Sequence, residues 1–339
     1  MNYKNFTFSF TSEIIVDKAV NYLSGDEGFY VIDDFFKINY HKGISIKADE
    51  TTKNLTTVYT ILEKLFSSSQ KRSDKIITIG GGITLDIAAF CASIYKRGCE
   101  LWFIPTTIIG MIDASVGGKT GVNFEIRDNI LKNQIGSFYP ASKVILDFDF
   151  LQTLPEKEIK NGFSELIKMM IIFERDFFEK DFDFIRNNLS DYLLRAINYK
   201  LDICSKDLTD KEERQFLNLG HTFAHLIETV TDFRISHGDA VAKGLCLALK
   251  YSLDKGLLSD KCYHIIINYI KEFCNDIVLS TVEIEKLGLQ GVDILFADKK
   301  AEQKIKLILV NDKSVEFFYV DDVRGLLDFV ICFLGNEQL

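Results

Sequence analysis

The sequence lacks the features that mark secreted, membrane-spanning and disulfide-stabilised proteins. Its first residues, 1–6, contain no signal-peptide core, and no uncharged apolar run approaches the roughly 20 residues that a membrane span needs. The seven cysteines are scattered without a Cys-x-x-Cys pair, a pattern typical of free thiols in a reducing compartment. We therefore expect a cytoplasmic protein with no membrane partner.

Blocks of basic residues are also missing. The chain has 40 lysines and arginines against 49 acidic residues, which gives a formal net charge of −9. This balance argues against nucleic acid or an anionic membrane surface as the main partner. An anionic substrate would therefore need a local basic pocket that works against the field of the whole molecule.

The chain is long enough for two domains with sizeable cores, since it has 339 residues of which 47% are hydrophobic. In the first part, short β-rich runs alternate with stretches that space their apolar residues as a helix does. The runs are residues 28–33, 75–79, 100–104 and 143–146, and the helical stretches are 52–67 and 85–95. Strands that alternate with helices predict a parallel α/β sheet.

The character of the sequence changes after Pro155. Helical periodicity with little strand signal fills residues 156–173, 190–206, 213–229, 239–256 and 259–274. A β-rich hairpin near residues 304–310 and 315–319 is the exception. We predict an α/β, Rossmann-like nucleotide-binding domain over residues 1–155, followed by a mainly α-helical metal-binding domain over residues 156–339.

A glycine run marks the first candidate ligand site. Gly80-Gly81-Gly82 follows a predicted strand and opens a predicted helix, where backbone N–H groups and the positive helix end can hold a phosphate. The run is not Gly-x-Gly-x-x-Gly, so the ordinary dinucleotide fingerprint fails and a tight turn without a ligand stays open. Thr106 and Thr107 follow the end of the next strand, where open α/β sheets bind ligands.

Residues 113–120 imitate a phosphate-binding P-loop, but Asp113 stands where that motif needs glycine. Nucleotide triphosphate hydrolysis is therefore a weak interpretation. Lys119 in this segment, and Lys132 with Asn133 further along, are candidate anion ligands. Taken singly, each lysine fits a plain surface position better.

Three of the five histidines, His221, His225 and His237, lie within seventeen residues. A helix would place the first two on one face. A divalent metal held by imidazoles usually recruits a carboxylate, for which Glu165 is the best candidate. Histidines that are solvated or satisfied by local hydrogen bonds are the alternative. Glu165 with Lys168 could also be a plain i,i+3 ion pair, although its apolar flanks argue against a solvated one.

In this order, the segments resemble the 3-dehydroquinate synthase family of sugar phosphate cyclases. The resemblance runs from about residue 49 to about residue 310, and residues 113–123 together with the Gly-His-Thr segment at 220–222 are its most specific part. It also includes residues 80–86, 95–98, 105–107, 132–136, 162–168, 214–225, 237–241 and 298–300.

The resemblance implies a dehydroquinate synthase-like fold, and zinc (in some members cobalt) held by Glu165, His221 and His237, with His225 beside the substrate phosphate. The implied NAD site consists of Glu50, Lys53, Gly81, Gly82, Asp86, Thr106, Thr107, Lys119, Lys132, Phe150 and Thr153. The implied substrate pocket consists of Asp113, Lys119, Arg97, Asn133, Lys168, Lys200, Arg214, Asn218, His225 and one lysine of Lys299-Lys300.

The implied reaction converts 3-deoxy-D-arabino-heptulosonate 7-phosphate to 3-dehydroquinate and phosphate, in a homodimer of the shikimate pathway of aromatic amino acid biosynthesis. NAD would oxidise C5 transiently, phosphate would be eliminated, and re-reduction at C5 would precede an intramolecular aldol closure, with the metal as Lewis acid. A pocket rich in lysine and arginine suits a substrate that carries a phosphate and a carboxylate.

Departures from the family pattern leave alternatives open. Leu85 replaces a small residue, Asp239 replaces a glutamate, and the loop between Asn123 and Lys132 is longer. A cyclase for another sugar phosphate, such as sedoheptulose 7-phosphate or an amino-sugar analogue, and a non-catalytic binding protein are therefore alternatives. Relatives that cyclise sedoheptulose 7-phosphate tend to change the residue at the His225 position, so the dehydroquinate-type substrate is favoured. A metal-dependent NAD polyol or alcohol dehydrogenase shares the architecture but would release NADH.

Overall fold

The computed structural model describes residues 12–23, 28–38, 40–126, 129–207, 209–297 and 304–336. The chain divides into two compact units, residues 1–154 and residues 155–339. This division falls one residue from the boundary that the sequence predicts. Within the described ranges, no helix is both long and apolar enough to cross a membrane.

The first unit contains a six-stranded sheet with helices. Its elements are β1 (Glu13–Val16), α1 (Val20–Leu23), β2 (Phe29–Asp33), β3 (Gly43–Ile46), α2 (Leu55–Ser67), β4 (Ile76–Gly80), α3 (Gly82–Ile94), β5 (Leu101–Pro105), β6 (Lys119–Ile126), β7 (Asn129–Phe138) and β8 (Lys143–Leu146). The sheet has the order β1-β8-β5-β4-β2-β3, and each neighbouring pair is parallel. The predicted parallel α/β sheet is confirmed, and β1 and β3 are strands that the sequence analysis did not predict.

The central strands form because they are short apolar runs that need burial on both faces. Phe29, Val31 and Ile32 of β2 are fully buried, and β4 is buried along its whole length. β4 and β5 end side by side, since Gly80 pairs with Pro105. The glycine run and Thr106 therefore meet at the carboxyl edge of the sheet, the edge where sheets of this kind bind ligands.

An antiparallel hairpin, β6 with β7, replaces the long loop expected between Asn123 and Lys132. The strands continue to Ile126 and resume at Asn129, while Arg127 and Asp128 lie outside the described residues. Lys119 opens a strand, whereas the lysine of a P-loop precedes a helix. The P-loop interpretation is therefore wrong on structure as well as on sequence.

The second unit is mainly helical, as predicted. Its elements are α4 (Glu156–Phe173), α5 (Phe182–Asn187), α6 (Leu189–Lys206), α7 (His221–Val230), α8 (His237–Asp254), α9 (Asp260–Phe273), α10 (Thr281–Ala297), β9 (Ile305–Val310), β10 (Val315–Val320) and α11 (Val323–Asn336). The predicted β-hairpin is confirmed, since β9 and β10 pair antiparallel. The sequence analysis did not predict α10 and α11.

The prediction of one continuous helix over residues 213–229 is wrong. A short 3₁₀ helix covers Glu213–Asn218, and α7 begins only at His221. Between them, Gly220 has a φ of 78°, a left-handed conformation that glycine adopts at little cost. A Cβ at this position would lie 3.0 Å from the backbone nitrogen of Leu245 on α8, so the break is also a close packing point.

Two glycines of α8 bring three helices close together. A Cβ on Gly238 would lie 2.3 Å from the carbonyl oxygen of Asn161 on α4, and a Cβ on Gly244 would lie 2.3 Å from the carbonyl oxygen of Gly220. No side chain fits at such distances, so only glycine permits these backbone contacts. The start of α8 therefore packs against α4, and its next turns pack against the start of α7.

Candidate functional site

Side chains from these three helices converge in the second unit. Glu165 on α4 places Oε1 3.6 Å from Nε2 of His221 on α7 and 3.5 Å from Nε2 of His237 on α8. One ligand-type atom from each residue lies within 4.8 Å of the other two. In the part of the chain that the structure describes, this is the one cluster of His, Cys, Asp or Glu side chains placed to share a metal ion.

The start of α8 is fixed by a capping arrangement next to His237. The Ser236 hydroxyl accepts the backbone N–H of Asp239 at 3.3 Å and lies 2.8 Å from Oδ1 of Asn161. The Asp239 carboxylate lies 2.7 Å from the same hydroxyl and accepts from Nδ2 of Asn275 at 2.8 Å. Asp239 stands at a position where the resemblance expects glutamate, and it therefore stabilises the start of α8.

Glu165 is buried, at 1% exposure, and its two carboxylate oxygens face different partners. Oε2 accepts from Nζ of Lys168 at 2.5 Å, whereas Oε1 has no hydrogen-bond partner in the described structure and faces the histidines. Burial opposes the charge of Glu165, but Lys168 and His237 act against it, and the pKa of Glu165 lies well below its usual value. The i,i+3 pair is thus a buried one that keeps a carboxylate ionised beside two imidazoles.

Each histidine ring is oriented through its Nδ1 atom. Nδ1 of His221 lies 3.3 Å from the carbonyl oxygen of Leu219, which can only accept, so this nitrogen carries the proton and Nε2 keeps its lone pair. Nδ1 of His237 lies 3.1 Å from Oε1 of Glu228, which is buried at 1% exposure. Carboxylates placed behind histidines in this way are typical of metal sites.

The charges around the cluster favour a cation. Burial lowers the pKa of His221, so this ring is neutral and available as a ligand. Burial also acts to lower the pKa of His237, but the nearby carboxylates of Glu165 and Glu228 outweigh it and raise that pKa. The two carboxylates that attract a proton to His237 would attract a metal ion in the same way.

The donor set fits zinc or cobalt. Two imidazole nitrogens and one carboxylate oxygen form a three-ligand set that leaves a coordination position open, as in catalytic zinc sites. His225 does not belong to the three-residue cluster: it is exposed, and its ring lies edge-on to His221 with 5.7 Å between centroids. The pairing of His221 with His225 that helical spacing suggested is therefore replaced by the set that the resemblance implies.

The predicted cationic residues of the second unit are mostly buried. Lys168, Lys200 and Arg214 have exposures of 3%, 6% and 2%, values that lysine and arginine rarely reach without a partner. Asp207 shapes the turn before Arg214, because its carboxylate accepts the backbone N–H groups of residues 211, 212 and 214. Asn218 is exposed at the end of the 3₁₀ helix. Plain surface positions are thereby excluded for Lys168, Lys200 and Arg214.

In the first unit, the glycine run fits the phosphates of a nucleotide. Gly81 is the N-cap of α3, and no side chain caps this helix, so its first N–H groups are available to an anion. A Cβ at Gly81 would lie 3.1 Å from the Thr107 methyl group, and one at Gly80 would lie 2.8 Å from Cβ of Thr84. Larger residues would crowd this turn. Leu85, which replaces a small residue of the family pattern, is fully buried.

A hydrogen-bond network joins several predicted cofactor residues. Nζ of Lys53 donates to Oδ2 of Asp86 at 2.6 Å and to Oδ1 of Asn133 at 2.7 Å. Lys132 places Nζ 3.7 Å from Oε1 of Glu50. Burial raises the pKa of Asp86, and Lys53 acts against that rise. The structure therefore brings Glu50, Lys53, Asp86 and Lys132 together with Asn133.

Other predicted residues lie at or near the carboxyl edge of the sheet. Thr106 is buried and donates its N–H to the carbonyl oxygen of Gly80 at 3.0 Å, while Thr107 accepts the N–H of Gly110 at 3.0 Å. Asp113 lies in a single π-helical turn, a distortion that is frequent at functional sites. Lys119 is exposed at the start of β6.

The structure does not gather every predicted residue in this way. Arg97 is exposed between α3 and β5, at the amino edge of the parallel sheet, opposite the glycine run. Phe150 and Thr153 lie in a 3₁₀ helix after β8, and the Phe150 ring packs edge-on against Phe36 with 5.6 Å between centroids. Lys299 and Lys300 lie outside the described residues.

The sequence analysis missed Glu228 and Asn123, whose side chains contact predicted site residues. Glu228 follows His221 by two helical turns inside an apolar face of α7, and that position was its only signal. Asn123, at 4% exposure, donates from Nδ2 to Oε1 of Glu50 at 2.7 Å and accepts the N–H of Asn133 at 3.0 Å.

Comparisons with known proteins identify the family of this chain. Family models for the N-terminal and C-terminal parts of 3-dehydroquinate synthase match residues 43–161 and 162–301. A 3-dehydroquinate synthase of Campylobacter concisus is 43% identical over 286 residues, which cover 83% of this chain and 80% of that protein. The chain belongs to the 3-dehydroquinate synthase family.

Solved structures similar to this family member share its fold. ValA, a 2-epi-5-epi-valiolone synthase of Streptomyces hygroscopicus solved with NAD⁺ and Zn²⁺, is 22% identical with a TM-score of 0.81, covering 99% of this chain and 100% of its own. A 2-deoxy-scyllo-inosose synthase solved with carbaglucose-6-phosphate, NAD⁺ and Co²⁺ is 23% identical with a TM-score of 0.77, covering 94% of this chain and 95% of its own. These likenesses confirm the predicted fold class.

Proposed function

We propose that this protein is a 3-dehydroquinate synthase, an NAD- and metal-dependent carbon–oxygen lyase. Its substrate is 3-deoxy-D-arabino-heptulosonate 7-phosphate, and its products are 3-dehydroquinate and phosphate. The observation that carries the proposal is the convergence of Glu165, His221 and His237 from three helices in a chain of this family. The Campylobacter concisus relative, 43% identical, bears the same name.

Glu165, His221 and His237 are the proposed ligands of zinc or cobalt. Such an ion would supply Lewis acidity to the oxygen of the hydroxyl that is oxidised. Lys168 keeps Glu165 ionised, and the Leu219 carbonyl and Glu228 hold the Nδ1 sides of the two rings. These contacts fix the direction of the three donor atoms before any ligand arrives.

The glycine run is the proposed pyrophosphate site for NAD, which would supply a hydride acceptor that is restored by the end of the cycle. The N-terminus of α3, which no side chain caps, would hold the anion. Asp86 and Glu50 offer carboxylate oxygens to sugar hydroxyls, and Lys53 keeps Asp86 in place. No net oxidation follows, so NADH does not accumulate.

Buried cations carry the recognition of an anionic substrate. The substrate has a phosphate and a carboxylate, and Lys168, Lys200 and Arg214 are the proposed groups that neutralise them. Buried charges act through a lower effective dielectric than exposed ones, which explains how a protein of net charge −9 can bind an anion. His225 and Asn133 are further proposed phosphate contacts. The departing phosphate can itself take the released proton, so no strong protein base is needed.

One assay with three readouts tests the proposal. The protein is incubated with the heptulosonate phosphate, NAD and Zn²⁺, and phosphate, dehydroquinate and the absorbance at 340 nm are followed together. We expect equal amounts of phosphate and dehydroquinate with no rise at 340 nm. Stoichiometric NADH would instead indicate a dehydrogenase. Turnover of sedoheptulose 7-phosphate alone would indicate another cyclase, and no turnover at all would indicate a binding protein.

Two finer points belong to the same proposal: a homodimer, and a place in the cytoplasmic shikimate pathway. The dimer and the pathway rest on the family resemblance, and the cytoplasmic location rests on the scattered cysteines. Sedimentation equilibrium should give a species of twice the 38.7 kDa chain mass. A single 38.7 kDa species at assay concentration would overturn the dimer.

A further inference from the structure

We infer that Asn123 is a positioning residue that fixes the cofactor contact Glu50 and the substrate contact Asn133 relative to each other. The inference deepens the proposed function and rests on it for the identity of the two ligands. It assigns a role to a buried amide that belongs to neither predicted ligand set.

The first observation is a bulge in β7. Val122 pairs with Ile135 and Phe124 pairs with Leu131, so three residues of β7, 132–134, lie opposite Asn123 alone. A bulge interrupts the hydrogen-bond ladder and re-aims side chains, and bulges are frequent beside active sites. This one carries both Lys132 and Asn133, the two anion contacts predicted for this strand.

The Asn123 side chain supplies the hydrogen bond that the bulge lacks. Its Oδ1 accepts the backbone N–H of Asn133 at 3.0 Å. Asn133 has a φ of 50°, in the left-handed region that asparagine tolerates better than most non-glycine residues. The Asn123 amide therefore holds a strained backbone whose side chain is a proposed phosphate contact.

The other half of the same amide faces the cofactor residues. Nδ2 donates to Oε1 of Glu50 at 2.7 Å, and the backbone N–H of Asn123 donates to the carbonyl oxygen of Lys53 at 2.8 Å. Lys53 in turn donates from Nζ to Oδ1 of Asn133 at 2.7 Å. The contacts therefore form a closed ring that joins Asn123, Lys53 and Asn133.

The amide of Asn123 offers an acceptor to Asn133 and a donor to Glu50 at once, from two different atoms. Asn123 is buried at 4% exposure, so it acts through these two neighbours. A residue that served the cofactor side alone would change only NAD affinity. A coupling residue changes NAD affinity and the KM for the phosphate substrate, and each half of its amide can be tested separately.

Two substitutions separate the halves. Asn123→Asp keeps the acceptor for Asn133 but sets a carboxylate against that of Glu50, so NAD affinity should fall about tenfold while the substrate KM stays within about threefold. Asn123→Ala removes both hydrogen bonds, so NAD affinity should fall and the substrate KM should rise, each by about tenfold. NAD affinity is measured by equilibrium dialysis without substrate.

A double-mutant cycle makes the test specific. In Glu50→Gln, the new amide can donate to the carboxylate of Asn123→Asp, so the hydrogen bond is restored with exchanged roles. The Asp substitution should then cost less than about twofold in NAD affinity, against about tenfold in the wild-type background.

Thr120→Val is the matched control: Thr120 accepts the Ser137 N–H at 3.0 Å in the same hairpin, outside the network. It should lower the thermal midpoint without changing NAD affinity or KM.

Equal costs of Asn123→Asp in both backgrounds would overturn the inference, and so would a Thr120→Val variant that behaves like Asn123→Ala. Wild-type protein that fails to bind NAD would overturn it together with the cofactor assignment. Wild-type protein that binds NAD but releases no phosphate from the heptulosonate phosphate would refute the proposed function alone. In that case the double-mutant cycle, measured by NAD affinity, still tests the hydrogen bond between Asn123 and Glu50. Circular dichroism on each variant identifies any that do not fold. If Asn123→Ala does not fold, the Asn123→Asp variants in the two backgrounds still test the inference.

Discussion

At the scale of single residues, the two histidines of the Glu165-His221-His237 cluster differ in what holds each ring. A backbone carbonyl faces Nδ1 of His221, whereas the buried carboxylate of Glu228 lies 3.1 Å from Nδ1 of His237. A carboxylate increases the basicity of the ring and fixes its tautomer, while a carbonyl mainly orients it. His237 is therefore the proposed ligand whose basicity depends on another side chain.

We expect Glu228→Gln to weaken zinc binding about 10- to 100-fold without unfolding the protein, because the amide keeps the shape and loses the charge. Competition with a chromophoric chelator measures the affinity. Glu272→Gln is the control, since Glu272 pairs with Arg186 away from the cluster. Unchanged zinc affinity in Glu228→Gln would show that the carboxylate does not support His237.

We expect His237→Ala to lose zinc and activity while its far-ultraviolet circular dichroism stays unchanged. The side chain is 34% exposed at the first position of α8, so its removal leaves no large cavity. Zinc content after dialysis is the readout, and His264→Ala, an exposed histidine of α9, is the matched control. Full activity of the His237 variant after chelation would contradict the ligand assignment.

Side-chain type and the family resemblance predicted that Glu165, His221 and His237 lie together, but not the residues that orient them. Glu228 contacts a residue nine positions away, and Asn123 contacts Glu50 across 73 positions. A glutamate in an apolar helix and an asparagine in a strand have many possible roles. Their roles here depend on tertiary contacts that spacing does not encode.

At the scale of elements, Gly238 decides whether α8 reaches α4. A Cβ there would lie 2.3 Å from a backbone oxygen of α4, and a backbone atom cannot turn aside as a side chain can. We expect Gly238→Ala to cost about 3 kcal/mol or more in the free energy of unfolding and to weaken zinc binding, because α8 must move away from Glu165. Denaturant titration and zinc content measure the two effects.

Gly335→Ala is the matched control, because nothing lies within 4 Å of a Cβ at that position of α11. Its effect should stay within about 0.5 kcal/mol. A Gly238→Ala variant as stable as Gly335→Ala would mean that α4 and α8 are not in close contact.

The elements that the sequence predicted well are those with one regular period. The buried strands β2, β4, β5 and β8 are short, mostly apolar runs, and α4, α6 and α9 repeat apolar residues at helical spacing. The hairpin β6–β7 escaped prediction because its bulge opposite Asn123 shifts the alternation of side chains along β7. The break at Gly220 escaped it because a glycine inside a helical pattern is often tolerated.

At the scale of the whole molecule, net charge and sheet topology bear on how the protein would meet an anion and on where Arg97 lies. An acidic chain with buried lysines and a buried arginine would bind an anion through these local groups rather than through its net charge. Arg97 could not be placed from sequence, since its distance from the glycine run depends on which edge of the sheet each strand end occupies. Its proposed role in substrate binding stays a prediction.

The division of ligands between the two units makes a prediction about unfolding. The proposed NAD residues lie in residues 1–154, together with Trp102, the single tryptophan, whereas the proposed zinc ligands lie in the mainly helical residues 155–339. A ligand that binds only the folded state stabilises by about 2.7 kcal/mol at one hundred times its Kd. NAD should therefore raise the midpoint of the tryptophan fluorescence transition. Zinc should raise the midpoint of the ellipticity transition at 222 nm, and chelation should lower it.

Each ligand should act on one signal more than on the other, because the residues that bind it belong to one unit. Trp102→Phe is the control for the optical assignment, since it should abolish the fluorescence transition and leave the ellipticity transition in place. Chelation that lowers both midpoints equally would mean that the two units unfold as a single cooperative body. NAD that shifts only the ellipticity transition would place the cofactor away from the glycine run, and the assignment of residues 80–82 would then be wrong.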